Sequence, residues 1–236
     1  EVSTDGGTNW SATVASQSGL ADGSYRFRAV VTDPAGNSAI SNTISVVVDN
    51  TVPVAGTLAF SGLVDSGSAD TPAVTTDSSF SLALSGNSDA NGTTAAYEVS
   101  TDGGTNWSAT VASQSGLGDG SYRFRAVVTD PAGNSSTSNV ISVVVDNTVP
   151  VAGTLAFSGL SDSGSADTPV VTTDSSFSLA LSGNSDANGT SVAYEVSTDG
   201  GTNWSATVAS QSGLADGSYR FRAVVTDPAG NSAISN

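Results

Sequence analysis

Leu117-Gly118-Asp119-Gly120-Ser121-Tyr122-Arg123-Phe124-Arg125-Ala126-Val127-Val128 decides the fold. From Tyr122 onward the residues alternate, with Tyr122, Phe124, Ala126 and Val128 on one side and Arg123 and Arg125 on the other. A two-residue period marks a β-strand with one buried face. The same alternation recurs on both sides. Phe80, Leu82 and Leu84 share a face in Ser79–Ser85, and Ile141, Val143 and Val145 do so in the last strand before a proline. Leu58 with Phe60, and Tyr97 with Val99, complete the pattern. Between these segments lie Asp102-Gly103-Gly104, Asp119-Gly120 and Pro131-Ala132-Gly133-Asn134, which are turn sequences. No segment sustains apolar spacing of three and four residues. The chain is therefore all-β, with about seven short strands per unit, and two sheets are needed to cover the apolar faces.

The units repeat. Glu1-Val2-Ser3-Thr4-Asp5-Gly6-Gly7 returns at Glu98 and at Glu195, a period of 97 residues. At that offset the chain overlaps itself over 139 positions and differs at 11. A unit this long is a whole small domain rather than a solenoid turn. Val48-Asp49-Asn50-Thr51-Val52-Pro53, repeated at Val145–Pro150, ends a Val-rich strand and marks the boundary. Residues 1–49 are then the C-terminal half of one repeat, 50–146 a complete repeat, and 147–236 a repeat lacking its last strand. Such a frame is expected of a slice from a longer array.

Composition narrows the chemistry. The 236 residues carry 22 acidic groups against six basic ones, all Arg, for a net charge of -16, with no His, Cys or Met. Lys is absent too, so a His base, a Cys thiolate or a Lys nucleophile is impossible, as is a zinc site of the usual His/Cys kind. Nucleic acid and anionic membranes are disfavoured partners at this charge. No run approaches 18 apolar residues, and no small-molecule substrate is expected. Asp pairs acting as glycosidase carboxylates are the one catalytic alternative. Near-identical sites in every unit suit structure better, so no enzyme is expected. Asn91-Gly92-Thr93 and Asn106-Trp107-Ser108 fit the glycosylation sequon, a short pattern that arises readily by chance.

Leu117–Tyr122 resembles the tyrosine corner of immunoglobulin-like domains. Together with the alternation and the Asp-Asn-Thr-Val-Pro linker, it makes the whole chain similar to the bacterial Ig-like repeats of giant surface adhesins. The extender regions of type I-secreted adhesins with RTX tails are the nearest likeness. The resemblance implies tandem immunoglobulin-like β-sandwich domains arranged end to end in a calcium-dependent stalk, extracellular on the bacterial cell surface, with neighbouring repeats as partners. Trp107 departs from the antibody pattern, since it follows the Gly-Gly turn.

Each repeat has eight Asp and one Glu against two Arg. In Ig order, Asp65, Asp70, Asp77, Asp102 and Asp119 lie at the C-terminal end beside linker Asp146, whereas Asp89 and Asp130 lie at the N-terminal end. Tandem stacking brings the two acidic ends together. Converging carboxylates repel unless a cation joins them, and hard oxygen ligands in irregular loops select calcium. No EF-hand pattern occurs. The expected ligands are Asp49, Asp65, Asp70, Asp130, Asp146, Asp162, Asp167 and Asp227. Asp146 is expected to meet Asp65 or Asp70 of its own repeat and Asp227 of the next, with Asp186 a weaker candidate. The resulting function is a calcium-stiffened spacer that projects a distal adhesive domain, with a place in biofilm formation. The alternative is a repeated weak lectin-like site acting by avidity, for which Trp107 and its copies are the candidates. Glu98, the only Glu of its repeat, is expected on the outer face opposite Arg123 or Arg125.

Overall fold

The computed structural model describes every residue except Ser68 and Asp167. Its elements are all strands, and no helix occurs among the described residues. The chain forms two compact units. One comprises Glu1–Ala59, Leu84–Glu98 and Arg125–Val140; the other comprises Phe60–Ala83, Val99–Phe124 and Ile141–Asn236.

In the middle repeat, one sheet places Thr94–Ser100, Gly120–Thr129, Ile141–Val145 and Ala73–Thr75 side by side. The other orders Ser113–Gln114, Phe80–Ser85 and Thr57–Ser61. Nine strands are present among the described residues of this repeat. The chain changes sheet within 108–114, since Ser108–Thr110 pairs in the first sheet and Ser113–Gln114 in the other, and within 135–145 one strand along Gly120–Thr129 is interrupted partway, so the repeat has more strand segments than the expected seven. The interruption has a visible cause. Asn139 accepts the Leu58 N–H at 2.8 Å and donates to the Leu58 carbonyl at 3.0 Å, replacing ladder bonds with side-chain ones. Beyond it, Ile141–Val145 pairs antiparallel with Gly120–Phe124 and parallel with Ala73–Thr75.

The alternation read from the sequence sets the core. Phe124, Ala126 and Val128 are fully buried, as are Leu58, Val143 and Val145. Phe60 and Phe80 of one sheet meet Phe124 of the other edge to face, with ring centroids 6.2 and 5.7 Å away, and meet each other at 5.1 Å. Phe157, Phe177 and Phe221 repeat the cluster in residues 147–236. Tyr122 donates its hydroxyl proton to the Gly118 carbonyl at 2.9 Å, and Tyr25 and Tyr219 do the same four residues upstream of themselves, closing the corner in all three copies. In residues 1–49 the strands Val2–Ser3, Gly23–Phe27 and Ile44–Val48 form one sheet. Val46 is 44% exposed there, against 1% for its counterpart Val143.

On the outer face, Arg125 Nε contacts Glu98 Oε2 at 2.7 Å, and the identical pair forms at Glu1–Arg28 and Glu195–Arg222. Glu195 and Arg222 sit directly opposite in register, which selects Arg125 over Arg123 as the partner of Glu98. The pair is half-buried rather than fully exposed. Part of the cover comes from tryptophan, because Arg28 lies over the Trp10 ring at 4.0 Å and Arg222 over Trp204 at 4.2 Å. Trp107 donates its indole N–H to the Gly104 carbonyl at 3.0 Å, and the other two tryptophans make the same bond.

The turn that carries this tryptophan is stapled by one carboxylate. Asp102 accepts Ser100 Oγ at 2.8 Å, the Thr105 N–H at 3.0 Å, the Asn106 N–H at 2.9 Å and Asn106 Nδ2 at 2.7 Å. Gly103 and Gly104 supply positive φ (78° and 96°), which L side chains adopt only at a cost. The Asn106 backbone bond, then the Asn106 and Ser100 side chains, lower the Asp102 pKa to about 2.

Two predictions follow from packing and charge. Phe124→Ala should cost about 3–5 kcal/mol in chemical denaturation, the usual range for a fully buried aromatic. Phe27→Ala, at the same position of the half-repeat, should cost much less, and equal losses would contradict the two-sheet core. The Asp102 pKa is depressed on folding, so its stabilisation is complete above the ordinary carboxylate range and fades as pH falls toward 2. The Asn106 amide resonance should therefore titrate with a midpoint near 2. A midpoint near 4 would show that the staple does not hold the charge.

Candidate metal centre

Among the described residues, two groups of three carboxylates form, one at each linker. Asp49, Asp89 and Asp130 each offer an oxygen, and these atoms all lie within 4.8 Å of one another. Asp146, Asp186 and Asp227 repeat the arrangement 97 residues later, within the same limit. Asp130, Asp146 and Asp227 are buried, at 4%, 4% and 3% exposure, while Asp49, Asp89 and Asp186 are half-buried.

Local sequence explains why these side chains converge. The linker Asp follows the last Val-rich strand, and the Asp146 N–H extends the parallel ladder by donating to the Thr75 carbonyl at 2.8 Å. Asp89 opens the turn Asp89-Ala90-Asn91-Gly92, where Gly92 has φ 92° and the Asn91 N–H donates to Asp89 Oδ1 at 2.8 Å. Asp130 opens Asp130-Pro131-Ala132-Gly133-Asn134, and its Oδ1 accepts the Gly133 and Asn134 N–H groups at 2.8 and 2.9 Å. Both turns leave the same end of the sandwich. Two asparagines tie them to the linker. Asn91 Nδ2 donates to Asp49 Oδ2 at 2.7 Å, and Asn134 Nδ2 donates to the Asp49 carbonyl at 3.0 Å. Asn188 and Asn231 make the same bonds to Asp146.

The groups bonded to these six carboxylates are neutral N–H donors of Asn, Thr and Gly. Burial pushes the Asp130 carboxyl up, but bonds from the Asn134 side chain and from the Asn134 and Gly133 backbones outweigh it, leaving a net lowering. Three carboxylates this close carry repulsion that neutral donors only partly offset. An all-oxygen donor set on irregular loops fits calcium better than magnesium, whose octahedron is strict, or zinc, which favours nitrogen and sulfur.

Of the eight residues expected as ligands, four join these groups: Asp49 and Asp130 in the first, Asp146 and Asp227 in the second. Asp65, Asp70 and Asp162 belong to neither, and Asp167 lies outside the described residues. Asp146 is met by Asp186 of the following repeat, not by Asp65 or Asp70 of its own. Asp65 Oδ2 accepts the Asp70 N–H at 3.4 Å, and Asp70 Oδ2 is buried with no hydrogen-bond partner among the described residues. Asp162 Oδ1 faces the Gly164 N–H at 3.4 Å.

Asp119 has a different task at the same linker. It accepts Thr148 Oγ1 at 2.6 Å and the Asn147 N–H at 2.8 Å, and Asp22 holds Thr51 and Asn50 in the same way. The Thr148 hydroxyl bond, then the Asn147 backbone bond, lower the Asp119 pKa. Sequence spacing gave Asp89 as part of the N-terminal acidic end without naming it a ligand. The signal that could have found it is its Asn two residues later, which reaches the linker.

None of the curated proteins compared matches the chain. Among solved structures, the chain is similar to an adhesin described as Ca2+-stabilized that helps an Antarctic bacterium reach out and bind ice. Identity is 18%, with a TM-score of 0.35, over 90% of this chain and 55% of that one. It is also similar to a 1.5-MDa bacterial ice-binding adhesin, described for its host cell surface retention, at 18% identity and a TM-score of 0.35. That match covers 91% of this chain and 72% of the other. The chain thus spans about half the length of the first of these structures. The bacterial Ig-like domain model matches residues 1–50, 51–147 and 148–236. Matched from end to end in three tandem copies, the chain belongs to the bacterial Ig-like domain family.

Proposed function

We propose that the chain is a spacer segment of a bacterial cell-surface adhesin, with calcium at each linker holding consecutive repeats at a fixed angle. The repeat limits are 1–49, 50–146 and 147–236. The observation that carries this reading is the recurrence of one carboxylate triad at both linkers, joining the linker Asp to two loops of the repeat that follows. Asp49, Asp89 and Asp130 would hold one ion, and Asp146, Asp186 and Asp227 another. The bound cation would neutralise the converged charge and couple linker to domain. Asn91, Asn134, Asn188 and Asn231 orient the linker without it. Asp65 and Asp70, with one buried unpartnered oxygen, are a further pair that a cation would relieve.

A lectin-like module is the weaker reading. A sugar-stacking aromatic needs an open face, and Trp10 and Trp204 are half-buried beneath arginine guanidinium groups. No catalytic role is proposed, because the carboxylates that converge are repeated at both linkers.

Calcium binding to the folded form should raise stability by about 2.7 kcal/mol at a hundredfold excess over its dissociation constant. For a 97-residue repeat unfolding as one unit, that is roughly 10–20 °C in melting temperature. Calorimetric titration should find one of two high-affinity calcium ions lost on Asp227→Asn, with the one at the Asp49 triad retained. The spacer reading falls if chelator leaves both the melting curve and the scattering-derived maximum dimension unchanged.

A further inference from the structure

Ser66 and Gly67 meet the turn Pro228-Ala229-Gly230 through a hydroxyl and backbone carbonyls. Ser66 Oγ accepts the Thr76 N–H of its own repeat at 2.8 Å and donates its proton to the Ala229 carbonyl of the following repeat at 2.7 Å. Two glycines allow the backbones to approach. A Cβ on Gly67 would overlap the Pro228 carbonyl, and a Cβ on Gly230 would stand 2.8 Å from the Ser66 carbonyl.

Internal repetition provides the comparison. The turns at 130–134 and 227–231 have the same sequence, Asp-Pro-Ala-Gly-Asn. Ala229 is fully buried, whereas Ala132 is exposed. On the loop side, Ser163 accepts the Thr173 N–H at 2.7 Å just as Ser66 accepts that of Thr76, so each loop is shaped by its own repeat. At Gly164, however, a Cβ would meet nothing within 4 Å. The loop is pre-formed, and docking adds the contact to the next turn.

We infer that Ser66 and Gly67 form a calcium-independent clasp on the Pro228–Gly230 turn of the following repeat, a second lock at the junction beside the carboxylate triad. In an array, the counterparts of Ser66 and Gly67 in every repeat would clasp the next Pro-Ala-Gly turn. The purpose of the clasp rests on the spacer reading, but its contacts do not involve the metal. The buried hydroxyl-to-carbonyl bond and the glycine approach carry no net charge, so screening and chelation leave them in place.

Amide hydrogen exchange on the whole chain tests this, because peptides from the two turns differ at positions 136 and 137 against 233 and 234 and can be told apart. Amides at 229–231 should exchange at least tenfold more slowly than those at 132–134, in calcium and in chelator alike. Gly67→Val should abolish that difference, and Gly164→Val, which projects into open space, should leave it unchanged. Equal exchange in the two turns, or equal effects of the two valines, overturns the clasp. If Gly67→Val acts as expected while chelator changes neither melting nor dimension, the clasp stands and the calcium reading falls. Loss of the difference in chelator alone would assign the protection to the triad and overturn the clasp.

Discussion

Like charge brought together at the linkers is the constraint on which this molecule turns. Folding buries Asp146 and Asp227 to 4% and 3% exposure and sets them beside Asp186, with neutral N–H donors as their hydrogen-bond partners. A carboxylate that loses its water must recover solvation from donors, from a cation or from a proton. Asparagine side chains and turn amides supply the first of these, and they do so in fixed directions because each turn is closed on its own Asp. The arrangement holds three acids near one another, with oxygens all within 4.8 Å. Replacing any of the asparagines would remove solvation from a carboxylate and its grip on the linker together.

Acidic residues elsewhere in the repeat do work that requires no cation. Asp102 gathers four donors and closes the Gly-Gly turn. Asp77 takes the Val64 and Ser79 amides at 2.9 and 3.0 Å, and Asp119 takes the linker Asn and Thr. These carboxylates bond within turns or across one linker, and their charges stay apart. The -16 net charge is thus divided by geometry into staples and clusters. Composition alone could not make that division, since the same residue type serves both.

Strand positions were legible because a two-residue period admits one geometry, and Phe124, Ala126 and Val128 are buried as their alternation requires. The tyrosine corner was legible for a local reason: donor and acceptor lie four residues apart. Register was half legible. Glu98 had two arginines on its face, and only the pairing of adjacent strands chose Arg125. The triad was legible as an acidic end but not as a list of residues. Asp89 and Asp130 are 41 positions apart in sequence, and their approach depends on two turns leaving the same end of the sandwich. Asp65 and Asp70 looked equally suitable by spacing. They join neither triad, and the Asp70 N–H turns to Asp65 Oδ2 at 3.4 Å, a local relation that a count of carboxylates does not reveal.

Near-identity of the repeats separates what sequence dictates from what neighbours dictate. Val46 and Val143 have the same flanking residues, yet one is 44% exposed and the other 1%, because only the second faces a covering sheet. Ala132 and Ala229 differ in the same sense because only the second meets a loop from the preceding repeat. Each unit therefore carries stability of two kinds, one intrinsic and one contributed at its junctions, as in other linear arrays. The hairpin staples and the tyrosine corner persist in all three copies and belong to the first kind. The triads and the covered turn belong to the second, and they are composed of linker and loop residues whose own turns are already closed. A junction built from pre-closed turns loses little conformational entropy when it forms, so each oriented contact there keeps more of its free energy.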